Sequence, residues 1–128
     1  MAGYTLKITE QPFKSGKNIL ASEHFQFIEG GATLDAAAIG AKTLEAGTAI
    51  ARNTTTGKFE EYSETTPGTL EPGFDEFAIL NVNVEVDGVN DVVVGEVIVR
   101  GSVYDAKIIG ATDAFKEANK NIRYVKHI

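Results

Sequence analysis

The chain has no cysteine, no tryptophan, one methionine (the first residue), three prolines and two histidines among 128 residues. Without cysteine there is neither a disulfide to staple the fold nor a thiolate to hold a metal. Stability must therefore come from packing, and 128 residues suffice for one core but not for two domains. The two histidines, His24 and His127, lie far apart in sequence, and no Gly-x-Ser-x-Gly elbow accompanies them. A Ser-His-Asp device is accordingly not expected, and His127 reads as a solvent-facing residue. Positive charge is also scarce. Twelve Lys and Arg face eighteen Asp and Glu, a net charge of −6. That balance argues against a nucleic-acid binder, which needs clustered cations for phosphates, and against an anionic membrane surface. No apolar run approaches the roughly 20 residues of a membrane helix. Lys7 and Glu10 interrupt any signal-like run at the start. The expectation is a soluble product made in the cytoplasm, with no cofactor.

What is present is β-branched and alternating. Asp91–Tyr104 holds the densest such run. Every second residue from Val93 (Val93, Gly95, Val97, Val99, Gly101, Val103) is apolar or small, and the other parity is mixed. Period two with one apolar set predicts a central strand with one face in a core. Gly95 and Gly101 leave room on that face for a bend, a bulge or a crossing strand, with the bend expected at Gly101.

Residues 77–86 alternate most cleanly. Ala78, Leu80, Val82, Val84 and Val86 point one way; Phe77, Ile79, Asn81, Asn83 and Glu85 point the other. This run should pair with the central strand across a turn at 87–90. A two-residue loop would set Val82 opposite Val93 and Ala78 opposite Val97. A four-residue loop would set Val86 opposite Asp91 and keep the same faces inward. A one-residue slip would expose a whole apolar set.

Elsewhere, His24–Ile28 reads as a short strand ended by Gly30-Gly31. Asp35 either caps a single helical turn over Ala36–Ala38, stopped at Gly40, or lies in a loop. Residues 42–52 read as a turn at Gly47 and then a strand, and 58–62 return as its hairpin partner after a turn at 53–57. Residues 63–73, with Pro67-Gly68 and Pro72-Gly73, form a surface loop. Thr112 or Asp113 should cap a helix over Ala114–Asn121 whose stripe is Phe115, Ala118 and Ile122. Residues 122–128 alternate as a last strand. Residues 1–18 stand apart: Tyr4, Leu6 and Ile8 alternate with Thr5, Lys7 and Thr9 ahead of a turn-forming, basic stretch. They read either as an edge strand of the domain or as an arm that adds a strand to another protein's sheet.

The chemistry-bearing groups are few. Glu85, Asp87, Asn90 and Asp91 lack the Asp-x-Asp-x-Asp-Gly spacing of a calcium loop, and acids at a hairpin end ordinarily serve the turn. No metal site is expected. Glu60, Glu61 and Glu64 would need an aromatic-lined cleft and opposed carboxylates for glycoside hydrolysis, which a small chain without tryptophan is poorly placed to build. Asn53-Thr54-Thr55 is a glycosylation sequon that reads here as a polar turn. From residues alone, this is a small acidic β protein, not an enzyme.

The order of elements over residues 43–125 resembles the head decoration proteins of tailed bacteriophages, the lambda D-like family. The family's Leu-x-x-Gly-Thr-x-Leu/Ile segment is similar to Leu44-Glu45-Ala46-Gly47-Thr48-Ala49-Ile50, and its Thr-Gly-Lys-Tyr/Phe hairpin to Thr56-Gly57-Lys58-Phe59. Its Gly-Ile-Leu-like strand corresponds to Ala78-Ile79-Leu80, and its Val-x-Val-Arg-Gly-x-Val/Phe strand to Val97-Ile98-Val99-Arg100-Gly101-Ser102-Val103. A short helix and a closing Gly-Ile-x-Val-like strand match 114–121 and 121–125, and residues 19–25 are similar to the family's Ala-Gly-Asp-like lead-in. The Trp-Pro that often precedes the helix is replaced by residues 108–112, and residues 29–42 are longer than usual.

The resemblance implies a mainly β fold: a small β-barrel or β-tulip-like domain over 19–128, with one short C-terminal helix and a flexible N-terminal arm over 1–18. It also implies a homotrimer on the three-fold axes of the expanded capsid, on the outer surface of the virion, clamping the major capsid protein against the pressure of packaged DNA. It implies no direct contact with nucleic acid or membrane. The arm residues Tyr4, Thr5, Leu6, Lys7, Ile8 and Thr9 would pair with a capsid strand, three weak arms acting multivalently. Lys7, Lys14 and Lys17 would meet an acidic capsid rim or simply be solvated. Arg100 is a candidate inter-subunit contact or an ordinary surface arginine. The alternative is a carbohydrate- or receptor-binding module of a virion fibre. That module would present Phe59, Tyr62, Phe77 and Tyr104 on an open face.

Overall fold

The structure, a computed structural model, describes residues 19–126 apart from Glu23. The described residues are mainly β, with a sheet curled into a half-barrel and two short helices. In chain order they form β1 (Gln26–Phe27), β2 (Ala32–Leu34), α1 (Ala36–Ile39), β3 (Ala41–Leu44), β4 (Ala49–Asn53) and β5 (Phe59–Glu61). There follow β6 (Phe74–Leu80), β7 (Val84–Asp87), β8 (Val92–Val94), β9 (Val97–Tyr104), a 3-10 turn at Asp105–Lys107, α2 (Asp113–Ala118) and β10 (Ile122–Val125). The main sheet runs β10-β9-β6-β4-β5-β2-β8, with β1 also on β9, and β3 and β7 make a separate two-stranded ribbon.

The densest β-branched run does supply the central strand, but it is broken. Its last eight residues form β9, which pairs with β1, β6 and β10. Near its start, Val92–Val94 form β8, and the chain turns at Gly95-Glu96 so that β8 pairs with β2 instead. The break inverts the face of the N-terminal half: Val93 is 66% exposed and Val94 is buried. In β9 the expected apolar set holds at Val97 and Val103, but Ile98, from the mixed parity, is fully buried as well. The strand runs between two cores rather than over one. Val97 and Val99 pack with the core of Leu34, Ile50, Leu80 and Val86, whereas Ile98 and Val103 belong to that of Ile19, Ile79, Phe115 and Ile122.

The alternation at 77–86 is realised in full. Ala78, Leu80, Val82, Val84 and Val86 all belong to the first core, and Phe77 and Ile79 to the second. Val97 pairs with Leu80 and Ile98 with Ile79, and the Asn81 N–H donates to Glu96 O at 2.9 Å. This is the register of the four-residue turn. The hairpin nonetheless opens beyond Asn81, because β7 leaves to pair with β3 and β8 with β2. A slip of β6 would not expose an apolar face, since both faces are covered. It would put side chains of the wrong shape into two packed cores, which costs about 1–3 kcal/mol per misfit.

Local signals account for the small elements. Asp35 caps α1 by accepting from the Ala37 and Ala38 N–H groups, and Gly40 ends it with φ 86°. The hairpin β4–β5 forms as expected, with Ile50 opposite Glu61 and Arg52 opposite Phe59. Thr112 caps α2 through the Phe115 N–H. The helix ends at Ala118, three residues short of the expected span, because the Asn119 side chain is buried and donates to Phe77 O. Ala118 is therefore exposed, and Ile122 reaches the same core from β10 instead. Phe115 fills the second core among Tyr62 and Phe77, at ring-centroid distances of 5.1 and 5.5 Å.

Gly101 is where the chain bends and another segment crosses. Its φ is +149°, and a Cβ there would lie 2.9 Å from Phe25 Cβ and 3.2 Å from Phe25 Cα. Gly95, at the break, has open space where a methyl group would go, with no heavy atom within 4 Å. Gly101→Ala is expected to cost about 2–3 kcal/mol in urea unfolding, with Gly95→Ala within about 0.5 kcal/mol of the parent. Phe115→Ala, in the same assay, should cost about 3–5 kcal/mol.

Candidate functional site

Arg100 follows from the bend. It sits on β9 opposite Gln26, one residue before Gly101, and its side chain is exposed. The crossing of residues 24–26 over Gly101 builds one wall of a groove of about 460 Å³. The Ser22 hydroxyl accepts from the His24 N–H at 3.1 Å and shapes that wall. The opposite wall is set by the Gly101 N–H donating to Asn121 O at 3.2 Å. Ser22, His24, Phe25, Arg100, Ser102 and Asn121 line the groove, and no described acidic residue does.

The cations are unevenly used. Lys42 pairs with Glu61, Arg52 with Asp75, Lys58 with Asp91 and Lys116 with Asp105. The Lys107 ammonium lies 5.0 Å from the Tyr104 ring centroid. Among the described residues the four cations without an acidic partner are Arg100, Lys120, Arg123 and Lys126, all exposed and all on β9, β10 or the residues flanking β10. Arg123 pairs across the sheet with Ser102 of the groove.

The acidic sets do not converge. Asp87 closes its turn by accepting from the Val89 and Asn90 N–H groups at 2.8 and 2.7 Å, and these bonds, Asn90's first, hold its carboxyl below the usual range. Asp91 is held low by Lys58, at 2.7 Å, and by the Ala36 N–H at the start of α1. Glu85 is exposed on β7. No group of three or more His, Cys, Asp or Glu side chains gathers as metal ligands among the described residues. Glu60 accepts from Asn53, while Glu61 pairs with Lys42, so these two serve the β4–β5 hairpin and its neighbour β3. Asn53 also accepts from the Thr55 and Thr56 N–H groups, as a polar turn requires.

Glu64 is the carboxylate with a role that its sequence context does not announce. It accepts from the Tyr62 hydroxyl at 2.6 Å, the Thr112 hydroxyl at 2.7 Å and the Gly68 N–H at 3.0 Å. One side chain thus ties the end of β5, the 63–73 loop and the cap of α2. The two hydroxyl bonds, Tyr62's first, lower its pKa, and burial followed by the bond to Glu64 raises that of Tyr62.

The aromatic candidates are not displayed. Phe59 and Tyr62 are 4% and 5% exposed, and Phe77 and Tyr104 are half-buried. Among the described residues the exposed large apolar side chains are instead Phe25, Leu70, Val89, Val93 and Ile109. His24 is exposed. The arm residues Tyr4–Thr9, the lysines at 7, 14 and 17, and His127 lie outside the described residues. No described helix is long and apolar enough to cross a membrane. No protein-family model, curated protein or solved structure matches this chain.

The three lowered carboxyls set an acid limit. Each adds stability that is fully present above its unfolded value of about 4 and is lost as pH falls through its lower folded value. Tm is expected to stay level from about pH 7 to 5 and to drop below about pH 4. Glu64→Gln should lower Tm at neutral pH, soften that drop and speed amide exchange at Gly68.

Proposed function

We propose that this chain is a capsid decoration protein of a bacteriophage head. Trimers of it would sit on the three-fold axes of the expanded shell, on the outer surface of the virion, and hold neighbouring major capsid protein subunits together. The observation that carries the reading is how the domain secures the chain just after residues 1–18. Ile19 O accepts from the Tyr104 N–H at 2.9 Å, and the Ala21 N–H donates to Ser102 O at 2.9 Å, so residues 19–21 are stitched along β9. Ile19 itself is fully buried. A segment with strand alternation at Tyr4, Leu6 and Ile8 therefore precedes a firmly held root. A pull on that segment would be delivered to the central strand of the sheet. This is the mechanical arrangement a cement protein needs if its arm adds a strand to a neighbour.

The order of the elements supports the same reading. The Leu44–Ile50 turn and strand, the Thr56–Phe59 hairpin, the strands around Ile79 and Ile98, and the helix leading to a closing strand follow one another in the order of the lambda D-like motifs. The fibre-module reading asks for an exposed aromatic face at Phe59, Tyr62, Phe77 and Tyr104, and two of these four are buried in the cores.

Cosedimentation with expanded, undecorated shells tests the proposal, comparing the full chain with one that begins at Ile19. Saturable binding by the full chain that is lost on truncation is the expected result. Binding that survives truncation keeps the decoration role and removes the arm from it. Absence of binding by the full chain removes the role.

A further inference from the structure

Arg100 is a guanidinium in a protein rich in carboxylates, yet among the described residues no carboxylate pairs with it. Four of the other described cations each hold an acid. Among the described residues that line its groove, the other polar side chains are amides, hydroxyls or an imidazole: Ser22, His24, Gln26, Ser102 and Asn121. Such groups add hydrogen bonds to a bound polar chain without neutralising the arginine. Phe25, 40% exposed and 5.0 Å from the Phe27 ring, gives the same groove an apolar wall. Arg123, exposed on β10 opposite Ser102, puts a second cation beside the groove.

We propose that this groove docks an acidic segment of the partner protein, with Arg100 gripping a side-chain carboxylate. The identity of that partner as the shell protein rests on the decoration reading; its chemistry does not. A guanidinium presents a planar fork that matches a carboxylate bidentately, and an ammonium cannot do so. The neutral lining suits the amides of a peptide backbone, and Phe25 suits an apolar side chain beside the acid. A nucleic acid is the less favoured occupant. A net charge of −6 repels an extended polyanion, whose binding needs cations that track its backbone over several phosphates. A short acidic segment needs only the groove. The positive groove on an acidic molecule also fixes orientation, because charge complementarity steers the encounter and rejects like-charged surfaces.

Isotope-labelled full-length protein titrated with a short, end-blocked oligoglutamate peptide gives a test that does not need shells. The peptide is expected to shift the amides of Gln26, Gly101, Ser102 and Asn121, and an oligolysine control to leave them in place. Arg100→Gln should weaken the peptide about tenfold, and Arg100→Lys should fall between, because it keeps charge and loses the fork. The Arg100 side chain is exposed, so unchanged resonances elsewhere will certify the fold of both variants. Shifts that fall elsewhere, no shifts, or equal binding by Arg100→Gln would overturn the proposal. So would tighter binding of an oligothymidylate to the same residues, which would assign the groove to phosphates. On expanded shells, Arg100→Gln with its first eighteen residues intact should bind about tenfold more weakly than the parent. Parent and variant sedimenting alike would overturn shell docking through the groove and leave the decoration role standing. A parent that ignores shells but binds oligoglutamate at Arg100 would remove the decoration role and leave the groove standing.

Discussion

The backbone of Val97–Tyr104 exchanges hydrogen bonds with β1 and β6 along its first half and with residues 19–21 and β10 along its second. Its side chains feed one core through Val97 and Val99 and the other through Ile98 and Val103. A strand committed on both edges and both faces has no freedom to slide, so the elements attached to it inherit a fixed register. The switch of cores between Val99 and Val103 happens at Gly101, whose φ of +149° no other residue of the strand shares. The bend lets one strand serve two hydrophobic layers, and it also leaves room for residues 24–26 to cross. The groove beside Arg100 is thus a by-product of how the sheet turns from one core to the next.

Much of this was legible. The period-two pattern at 78–86 put five apolar side chains into one core even though the chain changes partners midway. That worked because the pattern depends on the pleat and not on the neighbour. Asp35, Gly40 and Thr112 marked helix ends, since capping is local chemistry. The second core was legible only at Phe115 and Ile122, which the stripe over 114–122 marked as apolar. Its contributors, Ile19, Ile79, Ile98, Phe115 and Ile122, are spread along the chain, and around Ile98 they are interleaved with Glu96 and Arg100, which read as a wet face. Nor did the turn at 87–90 announce that β7 and β8 would part to join β3 and β2. Nothing local decides between pairing with each other and pairing with strands from some fifty residues earlier; that choice belongs to packing.

The site divides the same way. Arg100 drew notice beside Gly101, but its groove needs a chain crossing that no spacing encodes. Glu64 read as one of three surface acids, whereas Tyr62 and Thr112, from different parts of the chain, make it a tie between elements. Asp87 reads correctly as a servant of its turn, because the Val89 and Asn90 N–H groups it accepts from are two and three residues away. Asp91, read the same way, instead holds Lys58 and the Ala36 N–H at the start of α1, partners that lie 33 and 55 residues back in the chain.

The stitching at Tyr104 has a topological consequence. Residues 19–21 run antiparallel to β9 and β10 runs parallel to it, so Ile19 and Val125 both come to lie beside Tyr104. The domain is in effect a loop cut at one point. A short linker joining the two ends would cost little closure entropy. New ends could then be opened in the exposed turn at Gly57 or in the 63–73 loop without severing a core pair. Circular permutation would move the chain's beginning to the far side of the sheet while leaving β9 and its two cores as they are.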